Sequence, residues 1–215
     1  MLHVLLISDE AAPDDPGRIA DAARYGLPDG ICNIPNLQAV LPQLAACRVS
    51  VLHHTQIARA AALNADCAVL SGRFSAVVLS QVDAEYGALL AWLRQTQLPV
   101  FGICMGMQLL CAAFGGRIRR MQAPEGEFGF TALTPASAAA EAMRSFSCLE
   151  LHRYEIEAAP EAFDLLASSE KCRVQLVRHK TRPLMGSQFH PELFTPAHPD
   201  GAALLQRFLQ RCGKT

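Results

Sequence analysis

The sequence predicts an α/β fold, with a mainly parallel central sheet flanked by helices on both faces and a small antiparallel excursion. Two observations predict it. Short apolar runs bounded by turn residues recur along the chain, which is typical of buried strands, and helical patterns lie between several of them. Parallel neighbours require a crossover connection, which a helix supplies. We therefore expect strands and helices to alternate within one domain over residues 1–215.

The elements follow from local patterns. Strands are predicted at His3–Ser8, Val49–His53, Ala68–Ser71, Leu98–Ile103, Arg173–Val177 and Pro183–Phe189. Helices are predicted at Asp83–Thr96, Met105–Phe114 and Ala202–Leu209. The first of these helices begins at an Asp, a residue that favours helix starts, and carries apolar residues at Leu89, Leu90, Trp92 and Leu93.

Two segments depart from this alternation. Residues 117–157 contain GEFGFTALTP, which favours extended structure, and then SAAAEAMRSF, which favours a short helix. We expect this stretch to leave the main sheet as the antiparallel excursion. Residues 10–30 hold three prolines, three glycines and five acidic residues, which predict a loop or a loosely ordered helix.

The composition excludes several classes of protein. Hydrophobic residues are 51% of the chain and charged residues 18%, so there is enough apolar surface to fold a core. A net charge of −1 leaves no cationic surplus for the phosphates of a nucleic acid. No uninterrupted apolar stretch approaches the roughly 18 to 20 residues that a membrane span needs. We expect neither nucleic acid nor membrane as a partner.

Eight cysteines are spread along the chain, with no CxxC pair and no Cys/His cluster at zinc spacing. They are Cys32, Cys47, Cys67, Cys104, Cys111, Cys148, Cys172 and Cys212. Such widely separated cysteines indicate reduced thiols in a cytoplasmic protein, and no metal site is expected.

The strongest functional pattern is PVFGICMGMQ at residues 99–108. An apolar strand runs into Gly-x-Cys-x-Gly around Cys104 and then into a helix, as in a nucleophile elbow with sulfur in place of the hydroxyl. Gly102 and Gly106 are needed because side chains there would collide with backbone at a strained turn. The amino-terminal dipole of the helix would stabilise a thiolate and offer N–H donors to an oxyanion. The alternative is a buried thiol beside two incidental glycines.

A thiol nucleophile needs a base, and the pattern GSQFHPE selects one of the seven histidines. It places His190 at the end of an apolar strand, with Glu192 two residues later. Catalytic groups in open parallel sheets gather at the carboxyl ends of strands, where Cys104 and His190 are both predicted. Glu192 would accept the second imidazole N–H and complete a Cys-His-Glu arrangement. The alternative is an ordinary strand-terminating turn.

Together these residues resemble the class I (triad-type) glutamine amidotransferases. The resemblance covers most of the chain: Leu70-Ser71-Gly72 as an oxyanion loop, PVFGICMGMQLL, Gly115-Gly116 and QFHPE. Within the family, EFGF at residues 127–130, the pattern from His152 to Glu155 and the region leading to QFHPE look most similar to the glutaminase unit of GMP synthetase.

The resemblance implies a role for each matching residue. Cys104 would attack the side-chain amide of glutamine, His190 would act as general base and acid, and Glu192 would orient it. The N–H of Met105 would be one oxyanion donor, and Gln108 would help to hold the substrate. His152 would either line the substrate pocket or lie at the surface, because the aspartate that usually follows this histidine in the family is replaced here by Tyr154.

The candidate oxyanion loop departs from the family pattern. The family usually carries Ser-Gly-Gly-Pro, whose second glycine gives the other oxyanion N–H, whereas this chain reads Ser71-Gly72-Arg73-Phe74. Arg73 still has an N–H, but a side chain restricts the backbone conformations of the loop. Three alternatives stay open for the loop: it is inactive at rest, opened by a partner, or adapted to another substrate. Arg73 is alternatively a surface cation or a clamp for a substrate carboxylate.

The resemblance implies hydrolysis of L-glutamine to glutamate and ammonia through a thioester on Cys104, without a cofactor. The chain has neither GxxxxGK[ST] nor another glycine-rich phosphate cradle, so a separate synthetase subunit would use the ammonia. The altered loop favours, as an alternative, hydrolysis of another γ-glutamyl compound or small amide. A catalytically silent relative that senses glutamine or binds a partner is the third hypothesis. The presence of Cys104, His190 and Glu192 argues against it.

Overall fold

The computed structural model describes residues 1–123, 125–140 and 143–213. The strands are β1 Leu2–Ser8, β2 Cys47–His53, β3 Cys67–Leu70, β4 Val100–Ile103, β5 Ile118–Arg120, β6 Glu127–Pro135, β7 Phe146–His152, β8 Tyr154–Ile156, β9 Phe163–Ser168, β10 Leu176–His179 and β11 Leu184–Ser187. The α-helices are α1 Asn33–Leu44, α2 Val82–Gln95, α3 Met105–Ala113 and α4 Asp200–Cys212. Short 3-10 helices lie at Ala22–Tyr25, His54–Leu63, Leu79–Gln81 and Ala138–Ala140.

The central sheet has nine strands in the order β2-β1-β3-β4-β11-β10-β9-β6-β7. The first five are mutually parallel, and the remaining four pair in antiparallel fashion. Strands β5 and β8 form a separate two-stranded antiparallel sheet. The predicted fold class is confirmed.

Helices cover both faces of the sheet because side chains alternate along each strand. In β1, Leu5 and Ile7 pack in one core with residues of α2 and α3. Val4 and Leu6 face the opposite core, which contains residues of α1 and α4. All four side chains are fully buried, as expected of a strand inside a doubly covered parallel sheet.

The antiparallel region is larger than the sequence predicts. Strands β6 and β7 do not leave the main sheet. They extend it, because the end of β6 pairs with β9 through Thr134 and Pro135. The short helix predicted over residues 137–146 is a 3-10 turn at Ala138–Ala140, while residues 141–142 of that prediction lie outside the described residues.

Other differences between prediction and structure are local. The sequence does not predict helix α1, because two prolines interrupt its pattern; Pro35 lies in its first turn, where proline is tolerated, and Pro42 in its last. The strand predicted at Arg173–Val177 begins later, at Leu176, where the pairing with β9 is irregular. Residues 10–30 are irregular apart from one 3-10 turn and an isolated antiparallel bridge from Arg18 to Cys32. No helix among the described residues is long and apolar enough to cross a membrane.

Candidate active site

The turn that carries Cys104 joins β4 directly to α3. Cys104 is buried and adopts φ 51° and ψ −108°, a backbone conformation that residues other than glycine rarely adopt. Such a residue costs about 1 to 3 kcal/mol and persists only where its surroundings enforce it. This geometry is that of a nucleophile elbow.

The two glycines of the elbow are required by close backbone contacts, as the sequence predicts. A β-carbon on Gly102 would lie 2.6 Å from the carbonyl carbon of Gly106. A β-carbon on Gly106 would lie 2.7 Å from Cβ of Leu70 and 2.8 Å from the carbonyl oxygen of Ser71. Any side chain at either position would therefore push the helix away from the strands beneath it.

His190 and Glu192 lie beside this turn because β11 is the parallel neighbour of β4. Nδ1 of His190 lies 2.8 Å from Oε1 of Glu192, and both side chains are buried. The backbone N–H of His190 donates to the carbonyl of Leu149 in β7, which fixes the segment after β11. The ring of Phe74 stacks on the imidazole at 5.3 Å.

The electrostatics of this pair favour a charged imidazole. Burial opposes the imidazolium, but the negative charges of Glu192 and Cys104 outweigh it and raise the pKa of His190 to about 10. Nε2 of His190 has no hydrogen-bond partner among the described residues. The arrangement therefore leaves the Nε2 proton of a charged imidazole available to another group.

The candidate oxyanion loop, residues 71–75, follows β3 and lies against the same side chains. A β-carbon on Gly72 would lie 2.9 Å from Cε1 of His190 and 3.4 Å from Cβ of Cys104. The N–H of Gly106 donates to the carbonyl of Ser71, which ties the loop to α3. Met105 is the first residue of that helix, so its N–H has no acceptor within the helix.

Arg73 points away from the surface. Its side chain is only 5% exposed. Nη1 lies 2.5 Å from both Oε1 of Glu85 and the hydroxyl of Tyr86 on α2, and Nη2 donates to the carbonyl of Ala76 at 2.6 Å. The surface-cation alternative is wrong because the side chain is buried. Nε of Arg73 has no hydrogen-bond partner among the described residues, so the alternative of a clamp for a substrate carboxylate stays a prediction.

Gln108 lies behind the thiol and is almost fully buried. Its amide nitrogen donates to the carbonyl of Tyr154 and to Oε1 of Gln188, both at 2.9 Å. Gln188 in turn directs its own amide nitrogen at Sγ of Cys104, at 3.6 Å. The sequence patterns assign no role to Gln188; a polar residue two positions before His190, within an apolar strand, is the available signal.

His152 is buried, which makes the surface alternative wrong, and it lines the open cleft over Cys104. Its Nδ1 donates to the carbonyl of Tyr154 at 3.0 Å, and its Nε2 lies 3.1 Å from a carboxylate oxygen of Glu150 and 3.4 Å from one of Glu127. Burial disfavours the charged ring, but these two carboxylates raise the pKa of His152 to about 10. Nδ1 already donates to a backbone carbonyl and Nε2 faces two carboxylates, so this imidazolium is badly placed to serve as a base for Cys104.

Ligand atoms of Glu127, His152 and Cys172 lie within 4.8 Å of one another. Each already has a partner in the protein. Glu127 accepts from Ser169 and Gln175 at 3.0 and 2.9 Å, and the thiol of Cys172 donates to a backbone carbonyl. The cluster is thus accounted for as a buried hydrogen-bond network around His152.

An open cleft of about 470 Å³ lies over Cys104. Its size is in the range of small-molecule sites. Its walls are formed by residues from the segment 18–25, by the oxyanion loop and by the region around Arg153. Part of the irregular segment 10–30, to which the sequence assigns no function, therefore lines the site. Other lining residues are Met105, Gln108, Phe128, Leu151, His152 and Tyr154.

A family model for class I glutamine amidotransferases matches residues 34–212. The chain belongs to this family. The glutamine-hydrolyzing GMP synthase subunit of Methanocaldococcus jannaschii is 38% identical over 124 residues, which are 54% of this chain and 62% of that protein. The corresponding protein of Thermococcus kodakarensis is 32% identical over 128 residues, 59% of this chain and 67% of that protein. The match thus spans less than two thirds of the first of these relatives.

Solved structures agree with this family assignment. A GMP synthase subunit from Thermoplasma acidophilum superposes with a TM-score of 0.74 at 25% identity, covering 99% of this chain and 94% of that one. A glutamine amidotransferase from Thermotoga maritima superposes with a TM-score of 0.69 at 16% identity, covering 100% and 99%, and shows the shared amidotransferase fold alone.

Proposed function

We propose that the chain hydrolyses L-glutamine to glutamate and ammonia, with Cys104 as nucleophile, His190 as general base and acid, and Glu192 as the carboxylate that orients it. The observation that carries the proposal is the juxtaposition of a strained thiol at the elbow with a buried His190–Glu192 pair. The chemistry needs only these groups and water.

The thiolate of Cys104 attacks the side-chain carbonyl carbon of glutamine and forms a tetrahedral oxyanion. The N–H groups of Met105 and Arg73 are the proposed donors to that oxyanion. His190 gives its Nε2 proton to the nitrogen, the C–N bond breaks, and ammonia leaves a γ-glutamyl thioester on sulfur. His190 then takes a proton from water, the hydroxide attacks the thioester, and the C–S bond breaks to release glutamate.

In this proposal Gln108 and His152 support the reaction by positioning other groups. The amide nitrogen of Gln108 and Nδ1 of His152 already have acceptors in the protein, so these nitrogens do not bind the substrate's amide. Gln108 and Gln188 orient an amide N–H toward the sulfur of Cys104. His152 fixes the carbonyl of Tyr154, which Gln108 uses as its second acceptor.

The ammonia is proposed to pass to a separate synthetase. The similarity to GMP synthase proteins that are themselves named as subunits supports this, because such a subunit implies a partner that performs the synthetic step. Without such a partner, the ammonia released from glutamine would not be used in a synthetic reaction.

A second candidate keeps the same three residues but takes another γ-glutamyl compound or small amide. The loop that reads Gly72-Arg73-Phe74, with Phe74 stacked on the imidazole, favours it. Incubating the purified chain with L-glutamine and with a panel of γ-glutamyl amides, and measuring glutamate and ammonia separately, tests both candidates. Turnover of other amides without turnover of glutamine would contradict the first. Matched incubations of Cys104→Ala identify hydrolysis that does not arise at this site.

A further inference from the structure

A buried carboxylate holds the backbone of the candidate oxyanion loop. Glu10, two residues after β1, is fully buried. Its Oε1 accepts the N–H of Phe74 at 3.0 Å, and its Oε2 accepts the N–H of Ser75 at 3.2 Å and the hydroxyl of Ser75 at 2.8 Å. Three donors of one loop converge on one charged group, and hydrogen bonds to a charged acceptor are about twice as strong as neutral ones.

The peptide bond between Gly72 and Arg73 is fixed from the other side. The carbonyl of Gly72 accepts the side-chain amide of Asn33 at 2.7 Å and the hydroxyl of Ser71 at 2.8 Å. In a trans peptide the carbonyl and the following N–H point in opposite directions, so the N–H of Arg73 points away from Asn33. Among the described residues, this N–H has no hydrogen-bond acceptor.

The segment after β1 is shaped around the carboxylate. Gly17 has a φ of 62° and packs so closely that a β-carbon there would lie 2.1 Å from Oε1 of Glu10. Its own N–H is held by Asp15 at 2.8 Å. The chain therefore folds back onto Glu10 at a position where only glycine leaves room for it.

We propose that Glu10 is a positioning residue for the oxyanion donor. By holding the N–H groups of Phe74 and Ser75, its carboxylate fixes the loop so that the N–H of Arg73 is left free for the substrate's oxyanion. Side-chain contacts thereby replace the conformational preference of the Gly-Gly-Pro sequence that the family usually carries. The inference rests on the proposed function of the site.

The test compares Glu10→Gln with the wild-type chain in two reactions. The glutamine side chain has nearly the volume of glutamate, but one of its two terminal atoms is a donor instead of an acceptor. That donor would face an N–H group of the loop, with which it cannot form a hydrogen bond. Losing an oxyanion donor costs about 10²- to 10³-fold in rate, so displacing one should lower kcat by at least about 10-fold, with KM changing less. Alkylation of Cys104 by iodoacetamide builds no oxyanion and should proceed at the wild-type rate.

Asp14→Asn is the matched control, because Asp14 is an exposed acid of the same segment and loses the same charge. It should leave both reactions unchanged. Ser75→Ala, which removes one of the three donors, should lower kcat by a smaller factor. It serves as the test variant if circular dichroism shows that Glu10→Gln does not fold.

Wild-type turnover in the folded test variant, or parallel loss of turnover and alkylation, would overturn the proposal. Failure of the wild-type chain to hydrolyse glutamine would instead contradict the proposed function. The Glu10 comparison would then use the γ-glutamyl amide that the chain does hydrolyse, because every such amide passes through the same oxyanion.

Discussion

Nδ1 of His190 lies 2.8 Å from Oε1 of Glu192, and neither side chain has appreciable contact with solvent. A carboxylate at this distance fixes the tautomer of the ring and compensates its positive charge. We expect His190→Ala to be nearly as damaging to glutamine turnover as loss of the thiol. Glu192→Gln should retain about 10- to 100-fold more activity than His190→Ala, because an orienting group costs less than the proton carrier. Steady-state assays of the two variants decide this, and equal, negligible effects would assign the base to another histidine.

Cys104→Ala should abolish turnover, because no other described cysteine lies at an elbow beside an imidazolium. In the wild-type chain, a glutamine-mimicking electrophile near neutral pH should label Cys104 rapidly and selectively. Peptide mass spectrometry measures the labelling. Cys32 is an internal control, since it is partly exposed. Even labelling of several cysteines would contradict the assignment of the nucleophile.

The two raised histidine pKa values predict a pH dependence of stability. His152 and His190 both titrate near pH 10 in the folded chain and near 6.5 when unfolded. Between these values the folded state binds more protons, so the free energy of unfolding should be highest below about pH 6.5 and fall as pH rises. The slope is at most about 1.4 kcal/mol per pH unit for each group. Urea unfolding at pH 6.5, 7.5 and 8.5 measures it.

Glu192→Gln should reduce this slope by up to about 1.4 kcal/mol per pH unit, the contribution of one group. The substitution removes the charge that chiefly raises the pKa of His190. The exposed Asp14→Asn substitution should leave the slope unchanged. A stability that is flat over this pH range in the wild-type chain would show that the two rings are neutral when folded.

Gly72→Ala tests the contact between the oxyanion loop and the base. The added methyl group would lie 2.9 Å from Cε1 of His190, so the ring or the loop must shift. We expect kcat to fall by about 10-fold or more. Gly87→Ala is the matched control: the glycine lies within α2, a β-carbon there meets no neighbour within 4 Å, and alanine should stabilise the helix by roughly 0.5 to 1 kcal/mol. Full activity in Gly72→Ala would show that the loop yields without cost to the reaction.

The sequence predicts the parallel half of the sheet well because its strands are short and largely apolar runs between turn residues. Strand β3, for example, is buried at all four residues. The antiparallel half is harder to predict, because strands such as β6 alternate exposed and buried residues irregularly. Helix α1 escapes prediction because proline in its first and last turns obscures the helical period.

The site follows a similar division. Cys104, His190 and Glu192 stand in short motifs whose local structure brings them to one edge of the sheet. Glu10 stands in no such motif, and its contacts with Phe74 and Ser75 join residues that are 64 and 65 positions apart in the sequence. Its place after β1, at the edge shared with Cys104, is the available signal.

The last prediction concerns Arg73, where the sequence leaves open whether glycine would raise turnover. The structure gives a direction. The guanidinium joins the oxyanion loop to α2 through Glu85 and Tyr86, and its removal leaves both acceptors without their cation. We expect Arg73→Gly to lower kcat by about 10-fold with little change in KM, because the contact positions the loop and not the ground-state substrate. Arg73→Lys should be intermediate, since a single ammonium cannot reproduce the planar fork.

Glu85→Gln should reproduce part of the loss, because it breaks the ion pair without changing the loop itself. Titrating glutamine against these variants separates the alternatives. A rise in turnover for Arg73→Gly would show that the side chain holds the loop in an unreactive conformation. A rise in KM alone would show that the guanidinium leaves Glu85 to bind the substrate's carboxylate. A fall in kcat shared by Arg73→Gly and Glu85→Gln would identify the contact with α2 as the anchor of the oxyanion loop.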